Sequence, residues 1–598
     1  MQKKLLAVLA LPLMASALWA QKEATDSISM KGELEEIIVS STRLGNQTPL
    51  TTKTFTPEEL QQQNTGVNLP YLLTTTPSLV VTSDDGLGVG YTYFRVRGTD
   101  QNRINMTVNG IPLNDAESQT VFWVNMTDLA SSMNSVHVQR GVGTSTNGAA
   151  AFGASVNMQT EKATLEPFAT LTFNGGMYNT FRESAKVSTG LLKNGFAFDA
   201  RFSKVNSDGY LERAASDLYS YYASGAWYGT NTMVKLMTFG GAEKTYMAWD
   251  GISAEQLATN RRYNPAGRYI DDNGNEAFYN NQTDNYAQQH VQLHVSHLFN
   301  AQWNINGALH YTHGKGYYEQ YKASAKFKSY GLPNFTDTLG NTVKKSDIVR
   351  QKQLQNDFFG GVVALNYTSK KVNASLGGAV NNYIGDHFGN VIWLRTYNQS
   401  IPKDYEYYRN HGNKFEANTY LKADWEIMEG FKIFGDMQYR YVNYQLNGIN
   451  DEDLDSIPVH ETFHFLNPKA GISYTKNGHN AYVNFAIANR EPNRKNYTEA
   501  GPNDVPQAER LYDYEAGYNF SHRRFSVGAN LYLMDYENQL VLTGKYSDSG
   551  AYLTKNVKDS YRAGIELMGG VQILDWLRWD GKRYTEPKQN SKLFRLGG

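Results

Sequence analysis

Cysteine is absent from all 598 residues of this chain. That absence excludes a disulfide framework, a cysteine nucleophile and a metal site built on thiolates. The chain also lacks a glycine-rich Lys-Ser/Thr phosphate loop, so it does not hydrolyse a nucleotide to drive its function. No serine, histidine and carboxylate form a recognisable catalytic motif. We therefore predict no catalytic residues, no enzymatic activity, no cofactor and no metal site.

An excess of charge of one sign is missing as well. Lys and Arg number 57 and Asp and Glu number 58, which leaves a formal net charge of -1. This balance gives no support to nucleic-acid binding. Beyond the first residues, no apolar run approaches the roughly 20 residues that a transmembrane helix needs.

The first 20 residues have the layout of a secretory signal peptide. Lys3 and Lys4 precede an apolar run from Leu5 to Leu18, and small residues lie just before Gln21. A membrane anchor is the alternative, but the run is too short to span and Pro12 interrupts it. The sequence therefore predicts residues 1–20 as a signal peptide and the mature protein as exported.

Aromatic residues and alternating strands are abundant. The chain has 41 Tyr and 27 Phe, with a mean hydropathy of -0.54. Several stretches alternate between an apolar and a polar face, which is the pattern of a transmembrane β-barrel strand. The apolar faces are Phe196, Phe198, Ala200 and Phe202; Trp303, Ile305, Leu309 and Tyr311; and Phe525, Val527, Leu531 and Leu533. A soluble β-sandwich is the alternative, but these stretches are longer than its usual strands of about five or six residues.

Short and long connections alternate along the chain. Short polar turns are predicted near Lys193–Gly195, Gly229–Asn231, Asn300–Ala301, Lys370–Lys371, Glu429–Gly430, Lys476–Gly478, His522–Arg523 and Leu574–Asp575. Long irregular stretches are predicted at Ala242–Thr283, Gly314–Arg350, Ile384–His411 and Arg490–Ala508. Tight periplasmic turns and long extracellular loops are typical of an outer-membrane barrel.

The segment Phe94–Thr99, followed by Val108–Asp115, reads as a compact insert with an Asn109-Gly110 hairpin turn and projecting arginines. Together with Glu35–Ser40, Val138–Gly141 and Gly148–Met158, it resembles the motifs of TonB-dependent outer-membrane receptors, in particular siderophore receptors. This resemblance implies a mainly β fold in which an N-terminal α/β plug domain fills a transmembrane antiparallel β-barrel.

The resemblance also implies the domain boundaries and the energy-coupling segment. Residues 21–54 are expected to form a periplasmic linker, residues 55–162 the plug, residues 163–580 the barrel and residues 581–598 an atypical tail. The TonB box is expected at Glu36, Ile37, Ile38, Val39 and Ser40, where an apolar segment within polar linker could add as a strand to a partner. Its alternative is the first strand of the plug.

Arginines inside a barrel need partners, because a buried unpaired guanidinium is costly. We predict a lock between plug and barrel wall formed by Arg95, Arg97, Arg140, Glu515 and Glu566. Glu515 and Glu566 lie on lumen-facing positions whose settings resemble the family's barrel glutamates. The alternative is a solvated ion network in the lumen that is unrelated to docking.

The family resemblance implies an outer-membrane importer of a Gram-negative bacterium. Its expected partners are a TonB-type energy-coupling protein, the lipid of the outer membrane and a small-molecule ligand, with a metal chelate of the iron–siderophore type favoured. The protein is expected to be monomeric. Cobalamin, haem or another nutrient is the alternative ligand, and the ligand-contacting residues are not predicted. Candidate haem or metal ligands in or near loops are His313, His387, His411, His460 and His464.

The number of strands departs from the family pattern. Turn counting predicts about 16 strands by Trp576, whereas the family closes its barrel with 22. An incomplete sheet would leave unpaired backbone in lipid. Alternation also fades from Gly581, where the sequence becomes basic. We therefore expect a truncated product of a longer receptor gene, with a non-functional barrel as one outcome and a smaller natural barrel as the alternative.

Overall fold

A computed structural model describes residues 51–145, 151–451, 454–500, 505–546 and 552–585. The predicted signal peptide, most of the linker and the predicted TonB box at Glu36–Ser40 lie outside these residues. Within the described ranges, no helix combines the length and the apolar character that crossing a membrane as a helix requires.

The N-terminal part folds as an α/β domain with two small sheets. Its helices are Pro57–Gln63 and Leu69–Leu72, and Thr56 caps the first through a reciprocal pair of hydrogen bonds with Glu59. The strands are β1 Thr52–Phe55, β2 Leu79–Ser83, β3 Thr92–Val96, β4 Thr99–Asp100, β5 Ile104–Val108, β6 Ile111–Pro112, β7 Met133–Arg140 and β8 Ala154–Thr160. One sheet has the order β1-β7-β8-β5-β6 and the other β2-β3-β4.

The Asn109-Gly110 turn and strand β1 bear on two predictions made from the sequence. Asn109 and Gly110 have φ values of 53° and 83°, as a tight turn between two antiparallel strands requires, so the predicted hairpin is confirmed. Strand β1 begins at Thr52 and pairs with β7, so residues 52–54 belong to the plug sheet and not to the linker. The sequence pattern did not predict this strand, because it is short and only its last residue is buried.

Among the described residues, 17 further strands form one closed sheet. They are β9 Phe168–Gly176, β10 Thr180–Ser188, β11 Phe196–Ser207, β12 Ser216–Tyr228, β13 Thr232–Tyr246, β16 Thr283–Leu298, β17 Trp303–Lys326, β20 Lys345–Thr368, β21 Val372–Leu394, β22 Tyr405–Met428, β23 Phe431–Gly448, β24 Val459–Lys476, β25 His479–Arg490, β26 Glu509–Ser521, β27 Phe525–Tyr546, β28 Tyr552–Leu574 and β29 Leu577–Tyr584. Successive strands pair antiparallel, and two loop hairpins, β14 Arg268–Ile270 with β15 Glu276–Phe278 and β18 Phe335–Thr336 with β19 Thr342–Val343, lie outside the barrel.

The strand count is close to the sequence prediction. Sixteen barrel strands end by Leu574, as expected, and β29 adds a seventeenth that contains the first four residues of the expected tail. In the described structure β29 and β9 complete a closed barrel, in place of the open sheet that a count below 22 suggested. The expectation of a truncated product stays a prediction.

The two faces of the wall separate as the alternation predicts. On β11, Phe198 and Phe202 are exposed on the outside, whereas Arg201 and Ser203 are buried on the inside. On β27, Leu531 and Leu533 are exposed and Asn530 is buried. The outside therefore presents an apolar surface and the lumen a polar one.

All eight predicted short turns lie between consecutive strands of the barrel. Two of the four predicted long loops are much shorter than expected, because β17 continues to Lys326 and β21 to Leu394, with β20 and β22 beginning at Lys345 and Tyr405. Strands that extend past the lipid need no apolar face, so their alternation fades although their pairing continues. The loops between β13 and β16 and between β25 and β26 have the expected extent.

A charged residue on the outer face should destabilise the barrel most near the middle of the bilayer and least near its surfaces. Leu309 is 63% exposed and lies six residues beyond the start of β17, near the middle of a bilayer. Leu309→Arg should cost about 2–4 kcal/mol of folding free energy, and Gln302→Arg in the adjacent turn about 0–1 kcal/mol. Denaturant titrations of the protein refolded into lipid vesicles measure both. Equal costs would contradict the membrane placement of this face.

Candidate functional site

The functional site is built where the plug meets the inner wall of the barrel. Arg97 follows β3 at the start of a tight turn, with φ values of 51° for Arg97 and 67° for Gly98. Its Nη1 donates to Glu515 Oε1 at 2.5 Å, and its Nε and Nη2 donate to the two oxygens of Glu566 at 3.1 and 3.0 Å. The guanidinium also lies 4.1 Å from the ring centroid of Tyr532. One plug arginine therefore bridges strands β26, β27 and β28.

Arg140 enters the same cluster from the end of β7. Its Nη1 lies 3.3 Å from Glu566 Oε2. Burial lowers the pKa of Arg140, and the nearby charge of Arg97 lowers it further. For Arg97, burial alone would also lower the pKa, but Glu515 and Glu566 raise it above the ordinary value. Arg97 thus contacts both wall carboxylates, and Arg140 contacts one of them, Glu566.

Arg95 does not belong to this cluster, which corrects the predicted set. Its side chain is 66% exposed and its Nε pairs with Asp100 at 2.8 Å. Alternation in β3 leaves Phe94 and Val96 buried and Arg95 exposed, and the positive φ of Arg97 then turns its side chain inward. The sequence shows the alternation but not the turn that reverses it.

A second ion cluster forms around Glu509, the first residue of β26. Arg103 of the plug donates to Glu509 Oε1 at 2.6 Å, and Arg490 of β25 donates to Oε2 at 2.5 Å. The backbone N–H of Leu540 donates to Oε1 at 2.7 Å. Glu509 is fully buried, so this carboxylate is satisfied entirely by plug and wall.

A third cluster lies at the plug loop Asp115–Thr120. Glu117 contacts His387 Nε2 at 2.7 Å and accepts a hydrogen bond from the Tyr444 hydroxyl at 2.6 Å, and Arg494 lies 3.8 Å away. Burial favours the neutral acid, but His387, Arg494 and Tyr444 together lower the pKa of Glu117 to about 2. The carboxylate is therefore held in its charged form by the wall.

Glu491, in the loop after β25, extends this third cluster. Gln119 of the plug donates to Glu491 at 3.0 Å, and Lys414 and Arg440 of the wall donate to it at 2.6 and 2.8 Å. These charges hold the pKa of Glu491 well below its usual value against the effect of burial. The plug loop is thus joined to strands β22 and β23 through one loop carboxylate.

Further polar contacts join the plug to other parts of the wall. Asp128 lies 2.8 Å from Arg182 and 3.3 Å from Arg201, on β10 and β11. Ser145 donates its backbone N–H to Asp436 of β23 at 2.8 Å. The sequence analysis did not single out Arg103, Glu117, Asp128 or Glu509. Parity could have indicated Glu509, which lies on the buried face of β26.

The histidines considered as metal or haem ligands lie on barrel strands. His313, His411 and His387 pair with Asp357, Asp386 and Glu117, and His464 contacts the Tyr439 hydroxyl. Among the described residues, no three His, Asp or Glu side chains are grouped as metal ligands. The acidic stretch at Asp271 forms the turn of the β14–β15 hairpin, and Asp451 pairs with Lys352.

Comparison with known proteins agrees with this architecture. The model of the TonB-dependent receptor-like β-barrel matches residues 226–594, and the model of the TonB-dependent receptor plug domain matches residues 45–155. The chain therefore belongs to the TonB-dependent receptors, which are transport receptors and not enzymes. No curated protein matches it by sequence.

Solved structures share the fold at low sequence identity. The copper transporter OprC superposes with a TM-score of 0.69 at 13% identity, covering 89% of this chain and 79% of the other. The ferric yersiniabactin uptake receptor FyuA from Yersinia pestis gives 0.66 at 12% identity, covering 91% and 80%. The unliganded ferric citrate transporter FecA gives 0.66 at 12% identity, covering 88% and 75%.

Removing the central arginine should loosen the plug. Arg97→Gln leaves Glu515 and Glu566 buried with only Arg140 between them, which should cost about 3–5 kcal/mol. Arg95→Gln is the matched control, since this exposed pair is worth about 0–1 kcal/mol. Amide hydrogen exchange of β3 and β7 in detergent measures the opening free energy. Similar losses in both variants would show that the buried cluster does not hold the plug.

Glu117 should make the plug loop sensitive to acid. Its pKa is lowered in the folded state, so its contribution is complete above the unfolded value of about 4.5 and is lost as the pH falls toward 2. The stability difference between wild type and Glu117→Gln should be about 3 kcal/mol at pH 7 and about half of that at pH 3. Denaturant titration in detergent at both pH values tests this. A difference independent of pH would contradict the assignment.

Proposed function

We propose that this protein lies in the outer membrane of a Gram-negative bacterium and imports a scarce metal chelate, with an iron–siderophore complex as the primary candidate. A TonB-type partner supplies the energy by pulling on the segment before the plug. The observation that carries this proposal is a folded plug joined to the lumen wall by buried ion clusters around Glu566, Glu509 and Glu117.

Placement in a membrane is supported by the outer face of the barrel. Large apolar side chains are exposed there that would be unfavourable in water, for example Leu171 and Phe173 at 70%, and Leu309 at 63%. Aromatic residues such as Trp303, Trp425 and Tyr474 are exposed near the short turns, as in the aromatic girdle of an outer-membrane barrel. Lipid is the solvent that suits this surface.

The polar character of the plug–wall contact supports an active opening mechanism. The plug keeps its own apolar core, which includes Phe55, Phe94, Trp123 and Val136. Its contact with the wall combines apolar clusters, such as that of Val142 and Phe152 with Leu511, with charged and hydroxyl groups that water can solvate when the contact breaks. The charged part of the contact can therefore be exchanged for water as the plug is displaced.

Force applied at the start of the plug would reach the Arg97 cluster directly. Thr51 donates its hydroxyl to Glu515 at 2.6 Å, and its carbonyl accepts from the Arg140 backbone N–H at 3.0 Å. Residue 51 immediately precedes β1, which pairs with β7. Pulling on the residues before Thr51 would thus disturb Glu515 and Arg140 first, which suits a plug that opens only when a partner engages the predicted TonB box.

The metal-chelate ligand is supported by the neighbours and by the resemblance to siderophore receptors. The similar structures include a copper transporter, a ferric yersiniabactin uptake receptor and a ferric citrate transporter. These likenesses establish only the fold. The uptake experiment therefore also distinguishes an iron chelate from a copper complex, haem or cobalamin. The chelate is cargo and no resident cofactor is part of the proposal.

Deleting Glu36–Ser40 should separate binding from transport. The deletion removes the segment that the partner would take up as a strand, while the plug and barrel stay intact. In a Gram-negative strain without its own iron receptors, uptake of ⁵⁵Fe bound to hydroxamate or catecholate chelators should fall to background. Binding of the same chelates to cells at 4 °C should be unchanged.

Replacement of the same five residues in shuffled order is the control, since it keeps the linker length. It should also abolish uptake, because the partner's pockets select the side chains at alternate positions of an added strand, and shuffling changes which side chains those are. Uptake that persists in both variants would overturn energy coupling through this segment. Uptake of a copper complex, haem or cobalamin in place of iron chelates would retain the transport mechanism and correct the ligand.

A further inference from the structure

A groove lies on the outer face of the barrel in the sector formed by β23 to β27. It crosses β23 to β27 and consists of two connected depressions of about 590 and 490 Å³ that share Ile472, Val483, Ala516 and Leu531. These four residues form one continuous row of paired positions, in which Ile472 faces Val483, Val483 faces Ala516 and Ala516 faces Leu531. The groove is therefore a feature of the folded wall and not of loops.

Large and small outward side chains give the groove its depth. Ala516 lies between Tyr514 and Tyr518 on β26, which are 46% and 45% exposed and stand on either side of it. On the neighbouring strand, Ala481 lies beside Val483 and Phe485. The lining is apolar along its length, so it suits a hydrocarbon chain of flexible shape.

The periplasmic end of this sector carries unpaired positive charge. The turn between β26 and β27 contains His522, Arg523 and Arg524, all exposed. Neither arginine forms an ion pair with a residue of the described ranges. On this side of the barrel the adjoining turns are that between β28 and β29, which contains Asp575, and that between β24 and β25, which follows Lys476. Glu429, in the turn between β22 and β23, lies 3.4 Å from Lys476. His479, the first residue of β25, has its Nδ1 2.7 Å from the Tyr518 hydroxyl.

We propose that this sector binds one anionic phospholipid of the inner leaflet, with the phosphate at Arg523 and Arg524 and an acyl chain in the groove. The proposal depends on the membrane placement proposed above but not on the ligand or its transport. Guanidinium groups donate hydrogen bonds in the geometry that a phosphate accepts. A zwitterionic headgroup would bring its ammonium group next to these arginines, so an anionic lipid is favoured.

The dimensions of the sector fit one lipid molecule. From Arg524 to Leu533, strand β27 advances about 30 Å at about 3.3 Å per residue. With a strand tilt of about 40°, this corresponds to about 23 Å along the membrane normal. One leaflet with its headgroups is about 20–22 Å thick. A lipid whose phosphate contacts the arginines therefore reaches Leu533 with the end of its chain.

The turn between β20 and β21 provides a matched control. It also carries two basic residues, Lys370 and Lys371, and the small outward residue Ala374 follows it on β21. Ala374 lines neither depression of the groove. This site thus has the charge and the small residue of the proposed site but not its groove.

Native mass spectrometry of the full mature chain in detergent tests the proposal, with dipalmitoyl phosphatidylglycerol and dipalmitoyl phosphatidylethanolamine as probes. Wild type should bind one phosphatidylglycerol in preference to phosphatidylethanolamine. Arg523→Ala with Arg524→Ala should weaken binding of phosphatidylglycerol about thirty-fold. Ala516→Phe should weaken binding of both lipids about tenfold or more, because even two displaced methylene groups have that effect.

The control variants, Lys370→Ala with Lys371→Ala and Ala374→Phe, should bind both lipids like wild type. Each variant is first checked for the shift in gel mobility on heating that marks a folded barrel. The proposal is overturned if the arginine variant keeps its affinity for phosphatidylglycerol, if Ala516→Phe has no effect, or if the controls lose as much as the test variants. Failure of wild type to fold in detergent or insert into vesicles would instead contradict the membrane placement itself.

Discussion

The buried guanidinium of Arg97 is the contact on which the position of the plug depends. It has no access to water, and its charge is compensated by Glu515 and Glu566 on the barrel wall. Removing either partner leaves the other as an unpaired charge in a low-dielectric site, and the free-energy cost of that unpaired charge exceeds the net contribution of the ion pair. The ion pair therefore holds the plug against the wall, although each of the two domains is stabilised by its own hydrogen bonds and apolar contacts.

The other ion clusters repeat this arrangement at different heights and sides of the lumen. Glu509 joins Arg103 to the wall, Glu117 joins the plug loop to His387, and Asp128 joins the plug to Arg201. Plug and wall thus fit by charge complementarity beside the apolar contacts that they also share. Such a contact is specific while it stays dry, and it becomes weak once water enters, which is the behaviour expected of a seal that opens and recloses.

Much of the architecture follows from local sequence patterns. Alternation identified the two faces of the wall, and short polar turns located eight of the tight connections, because both signals lie within a few residues. The short turn between β9 and β10 was not predicted. The inward position of Arg97 depends on a left-handed turn, and closure with 17 strands depends on pairing between distant segments. Glu515 and Glu566 were identifiable from parity and family resemblance. Glu117 and Asp128 were not, because they lie in irregular plug segments where no alternation marks an inward side chain.

A double-mutant cycle on Arg97 and Glu566 tests the central claim most directly. Arg97→Met, Glu566→Met and the double variant are compared by the opening free energy of β3 and β7, measured by hydrogen exchange in detergent. If the two charges hold the plug by compensating each other, the double variant should lose much less than the sum of the two single losses. Losses that simply add would contradict the account.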